Sequence, residues 1–106
     1  MNNTFNDLEI KVRNWAISKG IDKAENAPKQ MLKVMEEVGE TAGALLKNKE
    51  DEIKDGIGDS FVTLIILCQQ LGYSPTECLQ LAYNEIENRK GKTINGVFVK
   101  EENLSL

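Results

Sequence analysis

The chain has 106 residues and a mass of 11.9 kDa, enough for one compact domain and too little for a multidomain enzyme. Its 41% hydrophobic and 28% charged residues are an ordinary globular balance, and 17 acidic against 13 basic residues give a net charge of -4, so nothing draws it to nucleic acid through its overall field. Histidine is absent, which removes Ser-His and Cys-His nucleophiles and every His-ligated metal site.

The first helix is predicted to start at Thr4, whose hydroxyl caps the turn with Asp7 three residues on. Phe5, Leu8, Val12, Trp15 and Ala16 give it a helical apolar period, and Gly20 ends it. A polar connection from Ile21 to Ala27 leads to Pro28, which opens a second helix running to about Lys47. Met31, Val34, Met35, Val38, Ala42 and Leu45 share one face of that helix and are its expected packing face. The third helix spans about Glu50 to Leu71 and stops at Gly72. Ser74 and Pro75 start a fourth, which carries Leu79, Ala82, Tyr83 and Ile86 and ends before Gly91. The tail from Thr93 to Val99 holds Asn95-Gly96 between short apolar stretches, and both a hairpin and an extended arm docked on a neighbour fit it. The expected fold is all-α: one domain over residues 1–106, a four-helix bundle-like subunit with a short C-terminal arm or hairpin.

From Phe61 to Leu71 the apolar residues circle the whole axis of the third helix, and a helix apolar all round must be buried on all sides. Three helices of so short a chain cover it in part, so the rest of the cover is expected from another copy, in a homodimer or homotetramer. Cys68 and Cys78 form no metal spacing and sit in apolar sequence, where each is expected to act as a small buried hydrophobe in a reducing compartment. The polar start MNNTFNDLEI does not resemble a signal peptide, and the apolar run from Phe61 to Cys68 is far short of the ~20 residues of a membrane span. A cytoplasmic protein is expected, with neither membrane nor nucleic acid as a partner.

The chemistry lies in two acidic clusters. Glu36, Glu37 and Glu40 fall within one sector of the second helix, roughly opposite its apolar stripe, where a solvated face is the plainer reading of that cluster alone. On the third helix, however, Asp59 shares its stripe with Val62 and Ile66, and Asp55 heads the same line. Aspartate is a poor helix-interior residue, and a carboxylate at the edge of a buried strip needs a partner. Acids gathered there repel, at about 1 kcal/mol per pair near 4 Å in water and several-fold more where water is scarce. A divalent cation removes that repulsion, and oxygen-only ligands point to Mg²⁺ or Mn²⁺ rather than zinc. Gly39, Gly43, Gly56 and Gly58 leave room beside the acids for a second helix or a ligand.

Glu36-Glu37-x-x-Glu40 on one helix, followed by Ile57-Gly58-Asp59 on the next, resembles the MazG-like all-α nucleoside triphosphate pyrophosphohydrolases. The lead-in Met31 to Met35, and Ala82 to Ile86 ending in Asn88-Arg89-Lys90-Gly91-Lys92, extend the resemblance from about Trp15 to Lys100. It implies a metal held by Glu37, Glu40 and Asp59, with Glu36 as ligand or water orienter. The chain departs from the family pattern where the second element usually reads Glu-x-x-Asp: the position three before Asp59 is Gly56, and Asp55 stands one residue earlier, able to reach the same site from one turn below. Arg89 and Lys92 resemble the family's phosphate-contacting segment, although cations also suit a helix C-terminus for dipole reasons. Asn84 is a candidate contact to phosphate or sugar, and Lys33 to phosphate or to a neighbouring acid. Trp15 is a candidate base-stacking residue, though a lone Trp on an apolar helix face is more often core.

The resemblance implies cleavage of a nucleoside triphosphate between the α and β phosphorus atoms, giving monophosphate and pyrophosphate. Mg²⁺, or Mn²⁺, would be held by Glu37, Glu40, Asp55 and Asp59, while Glu36 takes a proton from the attacking water. The rival reading is a non-catalytic helical oligomer with a vestigial or structural cation site, which Gly56 favours. A di-metal oxidase bundle is a poor reading, because its Glu-x-x-His pairs require histidine.

Overall fold

The computed structural model describes residues 3–104, in two compact units that divide after Pro75. The first unit holds α1 (Phe5–Ser18), a short 3₁₀ turn at Ala24–Asn26, α2 (Ala27–Leu46) and α3 (Glu50–Leu71). The second holds α4 (Pro75–Ile86), which opens at the boundary, and an antiparallel hairpin of β1 (Gly91–Ile94) and β2 (Val97–Lys100). The all-α class with four helices is therefore as the sequence predicts, and the tail forms a hairpin.

The element ends follow from local chemistry. At the start of α1, Asp7 N–H donates to Thr4 Oγ1 at 3.2 Å and Thr4 N–H donates to the Asp7 carboxylate at 3.3 Å, a reciprocal capping box. Thr4→Ala is expected to cost about 1 kcal/mol, read as a lowered urea midpoint with an unchanged slope. The hairpin register pairs Ile94 with Val97 across Asn95-Gly96, whose φ values of 51° and 80° are those of a type I′ turn.

In the first unit α3 is the central element. Gln30 Nε2 donates to the Thr63 carbonyl at 3.0 Å, and Thr41 lies against Gly56, so α2 and α3 run antiparallel across a link of residues 47–49. Phe5 and Phe61 meet edge to face at 5.6 Å, and Gln69 Nε2 donates to the Arg13 carbonyl at 3.2 Å, so α1 runs beside α3 in the same direction. The buried apolar residues are few and mostly small: Ala16, Ala27, Val34, Ala44, Ile65 and Ile66.

The packing face of α2 differs from the expected one. Of the predicted stripe only Val34 is buried, and Met31, Met35, Val38 and Leu45 are exposed. The face turned to α3 carries Gln30, Val34, Glu37, Thr41 and Ala44 instead, spaced three and four residues apart. The reason is close approach. A β-carbon at position 56 would collide with Thr41 Oγ1 and stand 3.1 Å from Thr41 Cβ, so Gly56 brings the small-residue face of α2 onto α3. On α3 itself Phe61, Leu64 and Leu71 remain substantially exposed, so one chain does not cover this helix. Cys78 is exposed and Cys68 half-buried, against the expectation of two buried thiols.

Candidate active site

The close α2–α3 approach brings the two acidic clusters together. Glu37 and Glu40 from α2 and Glu52, Asp55 and Asp59 from α3 line one small cleft of about 170 Å³, with Ala44 and Gly56 as its other walls. No basic side chain lines it. Glu37 is well shielded: its side chain keeps 13% exposure, against 54% for Glu36. The solvated-face reading of the helix-two acids thus holds for Glu36 and Glu40, which are exposed, and not for Glu37.

Lys33 stands where the acids would otherwise repel. Its Nζ donates to Glu36 Oε1 at 3.4 Å and lies 3.6 Å from Glu37 Oε1. The hydrogen bond and charge of Glu36, helped by Glu37, raise the Lys33 pKa above its ordinary value. The sign is that of a cation gaining partners: its contribution is complete below the unfolded pKa and is lost only as pH rises through the higher folded value, so the pairs persist through the neutral range. As the side chains stand, no three acid or thiol groups among the described residues are placed to share one ion. The backbone therefore assembles the donors, whereas the side-chain rotamers leave Glu37 with Lys33.

The donor set fits a hard divalent cation in its chemistry: five carboxylates, no nitrogen or sulfur, and two of the acids on a helix stripe where aspartate is otherwise unfavourable. Holding one would require the carboxylates to turn toward a common point and Glu37 to exchange Lys33 for the ion. Lys33→Met is expected to tighten Mn²⁺ binding several-fold, because Glu37 then lacks a counter-charge, and to leave the urea midpoint unmoved, because exposed pairs contribute little. Isothermal titration and a denaturation curve check the two halves.

A larger cleft of about 560 Å³ adjoins the acidic one, with Glu37 and Asp59 common to both. Trp15 lines it and is 50% exposed, which corrects the core reading of this residue. Lys33 lines it as well. A third cleft of about 460 Å³, lined mainly by apolar side chains of α1 and α3, reaches Asp55 and Asp59 from the other side. Glu36 lines none of the three.

The remaining candidates belong to the second unit. Gln80 Nε2 donates to Asn84 Oδ1 at 2.8 Å, and Arg89 pairs with Glu85 at 4.0 Å. Arg89 and Lys90 line a surface cleft with Lys100 and three glutamates, so this basic cluster is already largely balanced. Lys92 is exposed on β1.

Glu52 was not singled out from sequence, although Glu52, Asp55 and Asp59 are spaced three and four apart, which places them on one stripe of α3. Gln70 was also missed. It continues the line of Asp59, Val62 and Ile66 by one more turn, and all four line the larger cleft.

Fold and site together define an all-α protein with a carboxylate cleft between two antiparallel helices. Residues 26–94 match the MazG nucleotide pyrophosphohydrolase domain, and the chain belongs to that family. The match takes in α2, α3 and α4 and so includes every acid of the cleft. The chain is also 42% identical over 67 residues to an uncharacterized 18.2 kDa protein from the rep-hol intergenic region of Haemophilus phage HP1 (strain HP1c1). That alignment covers 60% of this chain and 41% of the phage protein, so the chain spans about two fifths of the relative it matches. No solved structure matches the chain. Among the described residues no helix is long and apolar enough to cross a membrane.

Proposed function

We propose that this chain is a metal-dependent nucleoside triphosphate pyrophosphohydrolase that releases a nucleoside monophosphate and pyrophosphate, with Mg²⁺ or Mn²⁺ as cofactor. The observation that carries the reading is the five-acid cleft built from two separate sequence clusters, in a chain of this family. Glu37, Glu40, Asp55 and Asp59 hold the cation in this scheme, with Glu52 beside them. When bound, the cation neutralises phosphate oxygens and makes a water more acidic. Lys33, released from Glu37, moves its charge onto the substrate's phosphates. Glu36, beside Lys33 and outside the clefts, turns inward in this scheme to take the proton from the attacking water. The role of Asn84, Arg89 and Lys92 as phosphate contacts is carried by the resemblance alone. The exposed apolar faces of α2 and α3 support assembly into a homodimer or homotetramer, since surfaces of that extent are seldom left open. Its setting is proposed to be the cytoplasm, as suits an enzyme of nucleotides.

The test is to incubate the pure chain with NTPs and dNTPs, with and without Mg²⁺, and to identify the products by ³¹P NMR. Monophosphate with pyrophosphate, abolished by Glu40→Gln, supports the reading. Orthophosphate release would mean another reaction class. Absence of turnover from a folded protein would favour the non-catalytic oligomer, which the pairing of Glu37 with Lys33 also suits.

A further inference from the structure

Three amide side chains line the larger cleft, and two of them are already committed. Gln30 Nε2 donates to the Thr63 carbonyl at 3.0 Å, and Gln70 Nε2 donates to the Ile21 carbonyl at 2.7 Å, with the Gln70 oxygen buried out of a ligand's reach. Asn26 is different. It stands at the N-cap of α2, where an asparagine usually accepts from the second or third N–H of the helix. Its backbone is helical instead, with φ −88° and ψ −3°, and the second position is Pro28, which has no N–H to give. The side chain makes no cap bond and, among the described residues, no other hydrogen bond. Asn26 is half-buried, so it belongs to the cleft wall and stays open to a ligand. It precedes Glu37 by a rise of about 16 Å along α2, the order of an extended nucleotide, with Lys33 between them. Trp15 and Ile66 line the same cleft and give a planar ring its apolar walls.

We infer that Asn26 reads the edge of the nucleobase and accepts amino- and carbonyl-bearing bases alike, with the base against Trp15 and Ile66 and the phosphates toward Lys33 and Asp59. The inference rests on the proposed function and deepens it. An amide carries a donor and an acceptor side by side, which matches the paired groups on a base edge. Nothing holds the Asn26 amide, so it turns over to suit either order. Its oxygen accepts from the amino group of adenine, or its nitrogen donates to the carbonyl of hypoxanthine. A pinned amide would admit one order only. The site thus registers that an exocyclic group is present and not which kind it is. The α1–α3 cleft holds no such reader, because the polar side chains on its wall are all charged: Glu9, Lys54, Asp55 and Asp59.

Trp15 is the single tryptophan of the chain and reports occupancy of this cleft directly. Quenching of its fluorescence measures the binding of AMP, IMP and purine riboside monophosphate, whose ring lacks any group at the amino position. The titrations are run in Mg²⁺, alongside kcat/KM for the three matching triphosphates. The expected result is that AMP and IMP bind within threefold of each other and each at least fivefold tighter than the unsubstituted purine. In Asn26→Leu all three should fall within twofold of one another. Should that variant fail to fold, the three wild-type affinities decide alone. A wild-type preference above threefold between AMP and IMP would mean that a fixed group reads the base, and it overturns the inference. Turnover with no advantage over the unsubstituted purine also overturns it while leaving the pyrophosphohydrolase standing. The expected binding pattern without triphosphate turnover would support Asn26 as the reader and overturn the catalysis. No quenching by any of the three places the base elsewhere and sinks the inference.

Discussion

Asp59→Asn should abolish turnover and leave the protein at least as stable as the wild type. Asp59 is the acid common to the three clefts described above, so it stands where the carboxylates and the apolar walls meet. Replacing it with the isosteric amide removes the carboxylate proposed to hold the cation without opening a void, and loss of one such electrostatic contact is worth about 100-fold or more in kcat/KM. The same change removes one charge from a group of five acids in which only Glu37 and Glu52 are given a basic neighbour, relieving up to about 1 kcal/mol of repulsion without metal. Activity and stability then move in opposite directions, as expected of a site whose strain is functional. A steady-state assay and a thermal melt in chelator read both. Loss of activity together with a collapsed melt would mean that Asp59 holds the fold rather than the cation.

Gly56→Glu, which restores the acid of the more usual family pattern, should destabilise the chain and fail to raise its activity. The new side chain has to start where Thr41 already sits, with Thr41 Cβ at 3.1 Å and Cα at 3.3 Å from the added carbon. Thr41 cannot simply turn aside, because its hydroxyl donates to the Glu37 carbonyl at 2.8 Å. Overpacking of this kind costs about 1–3 kcal/mol, more than the 0.5–1 kcal/mol that replacing a mid-helix glycine ordinarily returns. Gly56→Ala carries the same penalty without the added charge, and Thr41→Ala should recover part of it. If Gly56→Ala proves neutral in urea denaturation, the helices are not held at this distance and the account of the departure from the family pattern fails.

This second prediction shows why the sequence was legible up to a point. Helix ends were readable because their causes are local: Thr4 with Asp7, Pro28, Gly72 and Asn95-Gly96 act on their immediate neighbours. The acids were legible because Asp59 on an apolar stripe conflicts with its surroundings whatever packs there. The packing face of α2 was not. Met31, Met35 and Val38 are large apolar residues on one face of that helix, but which face meets α3 was decided by the fit of Gly56 to Thr41, a contact between residues fifteen apart. Gln70 was equally illegible, since an orphaned oxygen is visible only after its amide has been spent on Ile21. The apolar residues taken as core are largely surface in the single chain, and that surface is what the proposed assembly would use.

The most direct test of the central claim is a titration of Mn²⁺ into the wild-type chain, Glu40→Gln and Asp59→Asn, followed by the EPR signal of the free ion in the presence of a non-hydrolysable triphosphate. The account predicts saturable binding by the wild type and at least about tenfold weaker binding by each variant, because each removes a carboxylate from the same cleft. Equal affinity in all three proteins, or none in any, would contradict it.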